Sequence, residues 1–477
     1  MKKGEIYEAV VTDYKFPNKG QLVLEGRRVT IKGALKGQKV RFMVTKKKSD
    51  MAEGRLLEVL ESSPIEDGEA VCPYFGFCGG CSYQSLSYDN QLKLKDEMVY
   101  RLIEKYVDES AWEGIVPSPA MTGYRNKMEF TFGDEYRDGP LALGLHKKGS
   151  FYDILNVSDC AIITNDWKLI LDATLDFFKK KDIKFHHKMR HEGVLRNLVI
   201  RESKATNEFL INLVAATQWE SNGLDMYPGE AILKEFNLML RELELKDEFK
   251  GSIAGILYTE NDSLGDVVQS DRTIILSGRD YITEEILGLK FNISPFSFFQ
   301  TNSKGCEVLY SKAREYIMSG DVMKGEDGSG GKVVFDLYSG TGTIAQMMSP
   351  VAGHVIGIEI VEEAVEAAKE NAKLNGLSNC DFIAGDVLKA IDLVDEKPDV
   401  IILDPPRDGI NPKALEKILA FGVDEMVYIS CKPTSLARDL EIITNRGYKV
   451  VKACCCDEFP MTGHVETVCL LSKKVPV

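Results

Sequence analysis

Four features at the borders of apolar runs mark where this chain could do chemistry. Cys431 closes the run Val427-Tyr428-Ile429-Ser430, and Glu466 opens another run thirty-five residues later. A thiolate attacks carbon well, but an ordinary cysteine thiol has a pKa of about 8.5, so its surroundings must activate it. A glutamate inside an apolar segment is costly unless it is used or paired, and burial raises its pKa into the range that suits proton abstraction. Asp404 heads Asp404-Pro405-Pro406-Arg407, where two prolines stiffen the loop and hold the preceding residue extended. Further upstream, Asp336-Leu337-Tyr338-Ser339-Gly340-Thr341-Gly342 ends a buried strand in a glycine turn, of the kind that lets a backbone approach a ligand at a helix start.

Glu359 follows Gly340 by nineteen residues, close to the spacing at which an acid meets ribose hydroxyls. Asp386, after the next strand, is placed to accept from an adenine amine. The turn is not GxGxxG, which favours S-adenosylmethionine over a dinucleotide. A cofactor turn, a nucleophile and a base together point to methyl transfer onto a carbon that is not itself nucleophilic. The segment Phe296-Ser297-Phe298-Phe299-Gln300-Thr301-Asn302 adds aromatics able to stack a base and amides able to bond polar ligand atoms.

A second constellation is Cys72, Cys78 and Cys81, spaced C-x5-C-x2-C in a loop of glycines and aromatics, with Cys160 the best fourth ligand. Four thiolates fit an iron–sulfur cluster or a structural zinc; the spacing matches neither usual zinc pattern and favours the cluster. Cys454, Cys455 and Cys456 alternate faces of a strand and cannot easily share a metal. With Cys306, Cys380 and Cys469 they read as packing residues.

The elements that must position these groups follow from periodicity. Strands are expected at 333–337, 355–360, 380–383, 399–403, 425–430, 449–457 and 464–471, with helices between most of them, notably 362–375. This is a doubly wound sheet that ends in two strands without a long helix between them. Residues 325–332 read as a surface loop. A helix is expected from Asn90 to Tyr106, and residues 124–290 mix strands and helices without a cofactor turn. Short β-rich runs at 6–11, 20–25, 28–31 and 39–44 point to a small barrel. Residues 62–69 read as a linker.

The chain has 477 residues, too many for one ordinary domain, and a net charge of −14, which argues against coating nucleic acid without specificity. The charge is uneven: residues 1–60 carry +7 and the rest −21. No apolar run approaches the roughly 20 residues that span a bilayer. No apolar signal segment follows Met1-Lys2-Lys3. We expect a cytoplasmic monomer with no membrane partner.

These motifs resemble the S-adenosylmethionine-dependent RNA (uracil-C5) methyltransferases that make 5-methyluridine. The resemblance covers nearly the whole chain. It implies an α/β architecture: a TRAM-like, OB-like RNA-binding β-barrel over 1–62, a central α+β iron–sulfur and RNA-binding domain over 63–290, and a class I Rossmann-like methyltransferase domain over 291–477. A helix over about 90–123 is expected to pack with the last. It implies Cys431 as nucleophile and Glu466 as base. Cofactor contacts fall on Gln300, Tyr338, Glu359 and Asp404, with Asp336, Gly340 and Asp386 from the motif itself. Cys72, Cys78, Cys81 and Cys160 become ligands of a 4Fe–4S cluster. Phe298 matches the position that stacks on a flipped base, and Arg125 and Lys127 are RNA contacts. The loop departs at Ser339, where many relatives have Cys, and at Lys432, where Asn is commoner. Members with the cysteine cluster and the barrel mostly modify large-subunit ribosomal RNA, so 23S rRNA is the expected partner and a tRNA uridine the alternative. A nitrogen-directed methyltransferase would not need Cys431 or Glu466, and a DNA cytosine-C5 enzyme usually carries its nucleophile after the fourth strand. A non-catalytic iron–sulfur RNA-binding protein would not need the cofactor loop.

Overall fold

The computed structural model describes residues 1–219, 228–265, 271–320, 322–323 and 331–473. The loop expected over 325–332 therefore lies, apart from its last two residues, outside the described residues.

The sheet that carries the chemistry has eight strands, in the order Cys380–Ala384, His354–Glu359, Val333–Leu337, Val400–Leu403, Glu425–Ser430, Glu466–Ser472, Lys449–Cys456 and Trp112–Val116. The first five are parallel, and Glu466–Ser472 runs antiparallel to its neighbours on both sides. Strands such as Val400–Leu403 and Glu425–Ser430 are buried throughout, as expected of parallel strands covered on both faces. Helices Glu362–Leu374, Pro412–Ala420, Pro433–Asn445 and Ser303–Ser319 cover those faces and complete two apolar cores. The chain builds the sheet outward from Val333–Leu337 in both directions, so the strand order reverses beside it. A ligand crevice forms at the carboxyl ends of the strands at such a point.

Residues 6–61 form a six-stranded sheet, Ile6–Val10, Lys39–Lys47, Met51–Glu61, Arg27–Lys32, Lys19–Leu24 and Asp13–Lys15, around Val29, Ile31, Val40, Phe42 and Val44. The strand Met51–Glu61 was not legible in the sequence, because it is charged and interrupted by Gly54. That glycine is required: a Cβ there would lie 2.6 Å from Phe42 Cδ2. A third, seven-stranded sheet runs from Ile154–Asn156 at one edge to Arg272–Gly278 at the other. Helices Asn165–Lys180 and Pro228–Glu244 complete its core, around Trp167, Phe178 and Phe236.

The helix expected over about 90–123 is shorter, spanning Tyr88–Ile103. Beyond it the chain turns and becomes the edge strand Trp112–Val116, which pairs in parallel with Lys449–Cys456. Burial of Leu94, Met98, Val99 and Ile103 in the same core as Leu436, Leu440 and Ile443 fixes the helix against the eight-stranded sheet. Its Lys95 is fully buried and bonds Asp457 Oδ1 at 2.5 Å and the Phe459 carbonyl at 3.0 Å. The six-stranded sheet docks on the same helix. Tyr14 OH donates to Glu97, and Arg101 pairs with Asp13 at 2.8 Å.

Removing one partner of a buried pair leaves an uncompensated charge. Lys95→Met is expected to destabilise the protein by about 3–5 kcal/mol, and Lys95→Met with Asp457→Leu to recover most of that loss. Denaturant midpoints of the two variants against the parent measure the difference.

Candidate active site

Strand register brings the candidate groups together. Leu337 lies beside Leu403 and Leu403 beside Tyr428, so Tyr338 and Asp404 leave neighbouring strand ends. Ser430 is opposite Thr467 in the antiparallel pair. Cys431 directly follows Ser430 and Glu466 directly precedes Thr467, so these two residues, thirty-five apart in sequence, stand at adjoining ends of the pair. On the other side of Glu466 stands Cys456. The strand ends open into a cleft of about 1420 Å³. It is lined by Cys431, Glu466, Asp404, Gln300, Tyr338, Gly340, Glu359, Asp386, Phe298 and Arg125 among others.

The glycine turn forms one wall. Tyr338 has φ +69°, an uncommon conformation for a bulky residue and of the kind that recurs at ligand sites. Gly342 has φ +73°, and a Cβ on it would lie 2.5 Å from Phe382, so only glycine fits. Glu359 braces the turn: Oε2 accepts from Gly340 N–H at 3.0 Å, while Oε1 accepts from the N–H groups of Ile360 and Val361 at 2.8 and 3.0 Å. Asp386 caps the helix Val387–Ala390, accepting from Leu388 N–H at 2.8 Å. Phe298 is 70% exposed at the opening, next to Gly340.

Burial dominates the electrostatics. It pushes the Asp404 carboxyl up to about 7. It raises Glu466 to about 8, with a further push from the Asp404 charge and an opposing pull from Arg407. The Cys431 thiol is held at about 12, by burial first and then by the charges of Glu466 and Asp404. The free protein thus keeps its thiol protonated and its glutamate mostly protonated at neutral pH, within reach of ionisation as pH rises, and so poised as a proton acceptor.

Residues 263–474 match the family described as tRNA (Uracil-5-)-methyltransferase. An uncharacterized RNA methyltransferase of Clostridium tetani is 48% identical over 475 residues, covering 99% of each chain. One from Caldanaerobacter subterraneus is 47% identical, over 99% of this chain and all of its own, and one from Chlorobaculum tepidum 34%, over 98% and 96%. The chain belongs to the RNA uracil-C5 methyltransferase family. The crystal structure of the Pyrococcus abyssi tRNA (uracil-54, C5)-methyltransferase, in complex with S-adenosyl-L-homocysteine, has the same fold, with a TM-score of 0.72. It is 24% identical, over 98% of this chain and 100% of that one.

Two residues expected at the site of this methyltransferase lie elsewhere. Asp336 is fully buried behind the turn, where Oδ2 accepts from Ala345 N–H at 2.9 Å. It fixes the helix start instead of facing the cleft, because it precedes the strand end by one residue. Lys127 does not line the cleft; it opens the strand Lys127–Asp134 and pairs with Glu129 at 2.8 Å. Arg125 does reach the cleft, with its Nε bonded to the Lys127 carbonyl at 2.8 Å and its guanidinium 6.0 Å from the Phe459 ring. Phe459, His464 and Arg407 also line the cleft and were not singled out. Their signal was adjacency to Glu466 and Asp404.

The metal expectation meets a different geometry. Cys160 has its thiol raised to about 12 by burial and, in part, by the charges of Cys72, Cys81 and Cys78, so the four sulfurs share one neighbourhood. Among the described residues, however, no three His, Cys, Asp or Glu side chains converge to hold a metal ion. Cys78 Sγ accepts instead from Gly80 N–H at 3.4 Å. This loop is tied directly to the segment before Glu466: Ser82 and Tyr83 N–H donate to the Met461 carbonyl at 2.8 and 3.0 Å, and Tyr124 OH to the Pro460 carbonyl at 3.0 Å.

With the Cys431 thiol at about 12, only a small fraction is thiolate at neutral pH. Alkylation of Cys431 by iodoacetamide in the free protein is expected to be slow at pH 7 and to rise about tenfold per pH unit up to pH 10. Mass spectrometry of the peptide carrying Cys431 follows it.

Proposed function

We propose that this chain transfers a methyl group from S-adenosylmethionine to C5 of a uridine in RNA, through a covalent bond between Cys431 and C6 of the base. The observation that carries the reading is the register that sets Cys431 beside Glu466 at the strand ends that also present Asp404 and the glycine turn. C5 of uracil is a poor nucleophile. Thiolate addition at C6 pushes an electron pair toward C5 and O4, and the resulting enolate is nucleophilic at C5. That carbon would take the methyl group as the sulfonium C–S bond breaks, its electron pair staying on sulfur; Glu466 then takes the C5 proton, the C5–H pair becomes the C5=C6 bond, and the C6–S pair returns to Cys431. The target atoms are hidden in stacked RNA, so the base must turn out into the cleft, where the exposed ring of Phe298 offers a stacking face.

The cleft suits the cofactor. Gly340 and Gly342 let a ligand approach the backbone, Glu359 and Asp386 present acceptors, and Gln300, Tyr338 and Asp404 line the space between turn and thiol. Bound there, S-adenosylmethionine supplies an electrophilic methyl group.

Cys72, Cys78, Cys81 and Cys160 form an all-thiol set, which suits iron–sulfur chemistry. On such a cluster each thiolate would bind a different iron. The cluster would be structural, since uracil methylation transfers no electron.

The resemblance to members with the barrel and cysteine loop favours 23S rRNA. The full-length fold match to an archaeal tRNA (uracil-54, C5)-methyltransferase favours a tRNA uridine as the second reading. Mapping 5-methyluridine in both RNAs from a deletion strain separates them.

Cys431→Ala is expected to lower turnover roughly 10⁴-fold or more with cofactor binding retained. Glu466→Gln is expected to accumulate a methylated protein–RNA species that survives denaturing gels. Normal turnover by the first, or weaker RNA binding alone in the second, sinks the mechanism. Protein purified without oxygen is expected to be brown and to hold about four irons per chain. One equivalent of zinc and no iron overturns the cluster.

A further inference from the structure

We propose that Glu458 is a positioning residue for Glu466: a buried carboxylic acid whose O–H is held ready for the Glu466 carboxylate and steadies its charge until the C5 proton arrives. The inference rests on the roles of Cys431 and Glu466 given above.

Glu458 is 0% exposed, and neither of its carboxyl oxygens has a hydrogen-bond partner. Such an orphan is costly in a native interior and calls for an explanation. Its backbone is pinned: the N–H donates to the Cys456 carbonyl at 3.0 Å, and the carbonyl accepts from Asn302 Nδ2 at 2.7 Å. Cys456 is the strand partner of Glu466, so Glu458 sits just past the residue that flanks the proposed base. The side chain lies against the start of the helix Ser303–Ser319, where a Cβ on Gly305 would be 3.0 Å from Glu458 Cγ. That helix start is already engaged: Gly305 N–H bonds Asn302 Oδ1 at 3.0 Å and Cys306 N–H the Asn302 carbonyl at 2.9 Å.

The titratable groups around Glu458 are Glu466, Asp404 and Arg125, with Cys306 and Tyr310 on the helix behind it and Arg407 and His464 lining the cleft with Glu466. Burial first, then the charges of Glu466 and Asp404, hold the Glu458 carboxyl well above its ordinary value, against an opposing pull from Arg125. At neutral pH it is therefore a neutral acid with one O–H to donate. Glu466 is the neighbouring carboxylate that must be ionised before it can act. In the reaction the Glu458 proton stays on Glu458 and the C5 proton goes to Glu466. Glu458 acts only by stabilising the anion, which lowers the pKa of Glu466.

The test follows resolution of the methylated adduct against pH by rapid quench, with the full-length protein and its RNA. In the parent the rate rises with pH as Glu466 ionises. Glu458→Leu removes the donor, so the Glu466 pKa rises. The acid limb is expected to move up by about one pH unit, slowing resolution at pH 7 about tenfold. Glu458→Gln, neutral and still a donor, is expected to restore the parent limb. Glu458→Met gives the same reading if the Leu variant does not fold. An unmoved limb in the apolar variants overturns the proposal, as does equal displacement in the Gln variant or a uniform slowing at every pH. Adduct formation precedes the action of Glu466 and separates the two readings. If the parent forms no methylated adduct, the chemistry proposed for Cys431 falls and this inference with it. If the adduct forms and the limb stays put, Glu458 alone is misassigned.

Discussion

A buried lysine on a helix far upstream holds the segment that leads into Glu466, and the site depends on that hold. Lys95 bonds both Asp457 and the Phe459 carbonyl, Gln91 accepts from Met461 N–H at 2.9 Å, and Ser82, Tyr83, Tyr124 and Asn302 donate to the carbonyls of Met461, Pro460 and Glu458. Met461 itself has φ +66°, a conformation that persists only where surroundings over-determine it. A loop at a sheet end is ordinarily the mobile part of a fold. Here seven hydrogen bonds from four separate parts of the chain make it rigid, so that Glu466 begins its strand at one fixed register.

The same arrangement ties the cysteine loop to the chemistry. Only one residue separates Cys81 from Tyr83, and both Ser82 and Tyr83 hydrogen-bond the Met461 carbonyl. Whatever orders the cysteine loop therefore also orders the approach to Glu466. The six-stranded sheet joins this arrangement through Tyr14, Phe16 and Leu35, which share a core with Tyr83, Leu94 and Met98. Its basic residues are thereby carried by the same body as the cleft.

Asp404 and Glu466 line the cleft, and Glu458 lies fully buried near both. Burial raises all three, the Asp404 charge raises Glu466 further and both raise Glu458, while burial first and then the charges of Glu466 and Asp404 keep the Cys431 thiol protonated. This is an unfavourable arrangement for a resting protein and a useful one for a reaction that must move a proton off carbon. Arg125 and Arg407 temper it without forming a close ion pair with any of the three.

The parallel strands, the glycine turn and the three strand-end residues Asp404, Cys431 and Glu466 were legible because their cause is local. Buried parallel strands must be apolar runs, and chemistry must follow where they stop. The strand Trp112–Val116 was not legible, since five residues containing Glu113 and Gly114 carry no period, and only the exposed edge of Lys449–Cys456 makes them a strand. Asp336 carried the motif yet is buried behind the turn, and Glu458 carried no motif yet is buried two residues past the strand partner of Glu466; burial is a property of packing, not of spacing. The sequence by itself determined which residues can react and which runs must be buried. Tertiary structure alone decided that Cys431 and Glu466 stand at adjoining strand ends and that Lys95 clamps the loop between two distant segments. Those pairings join residues separated by 35 and 362 positions, and no local preference reaches that far.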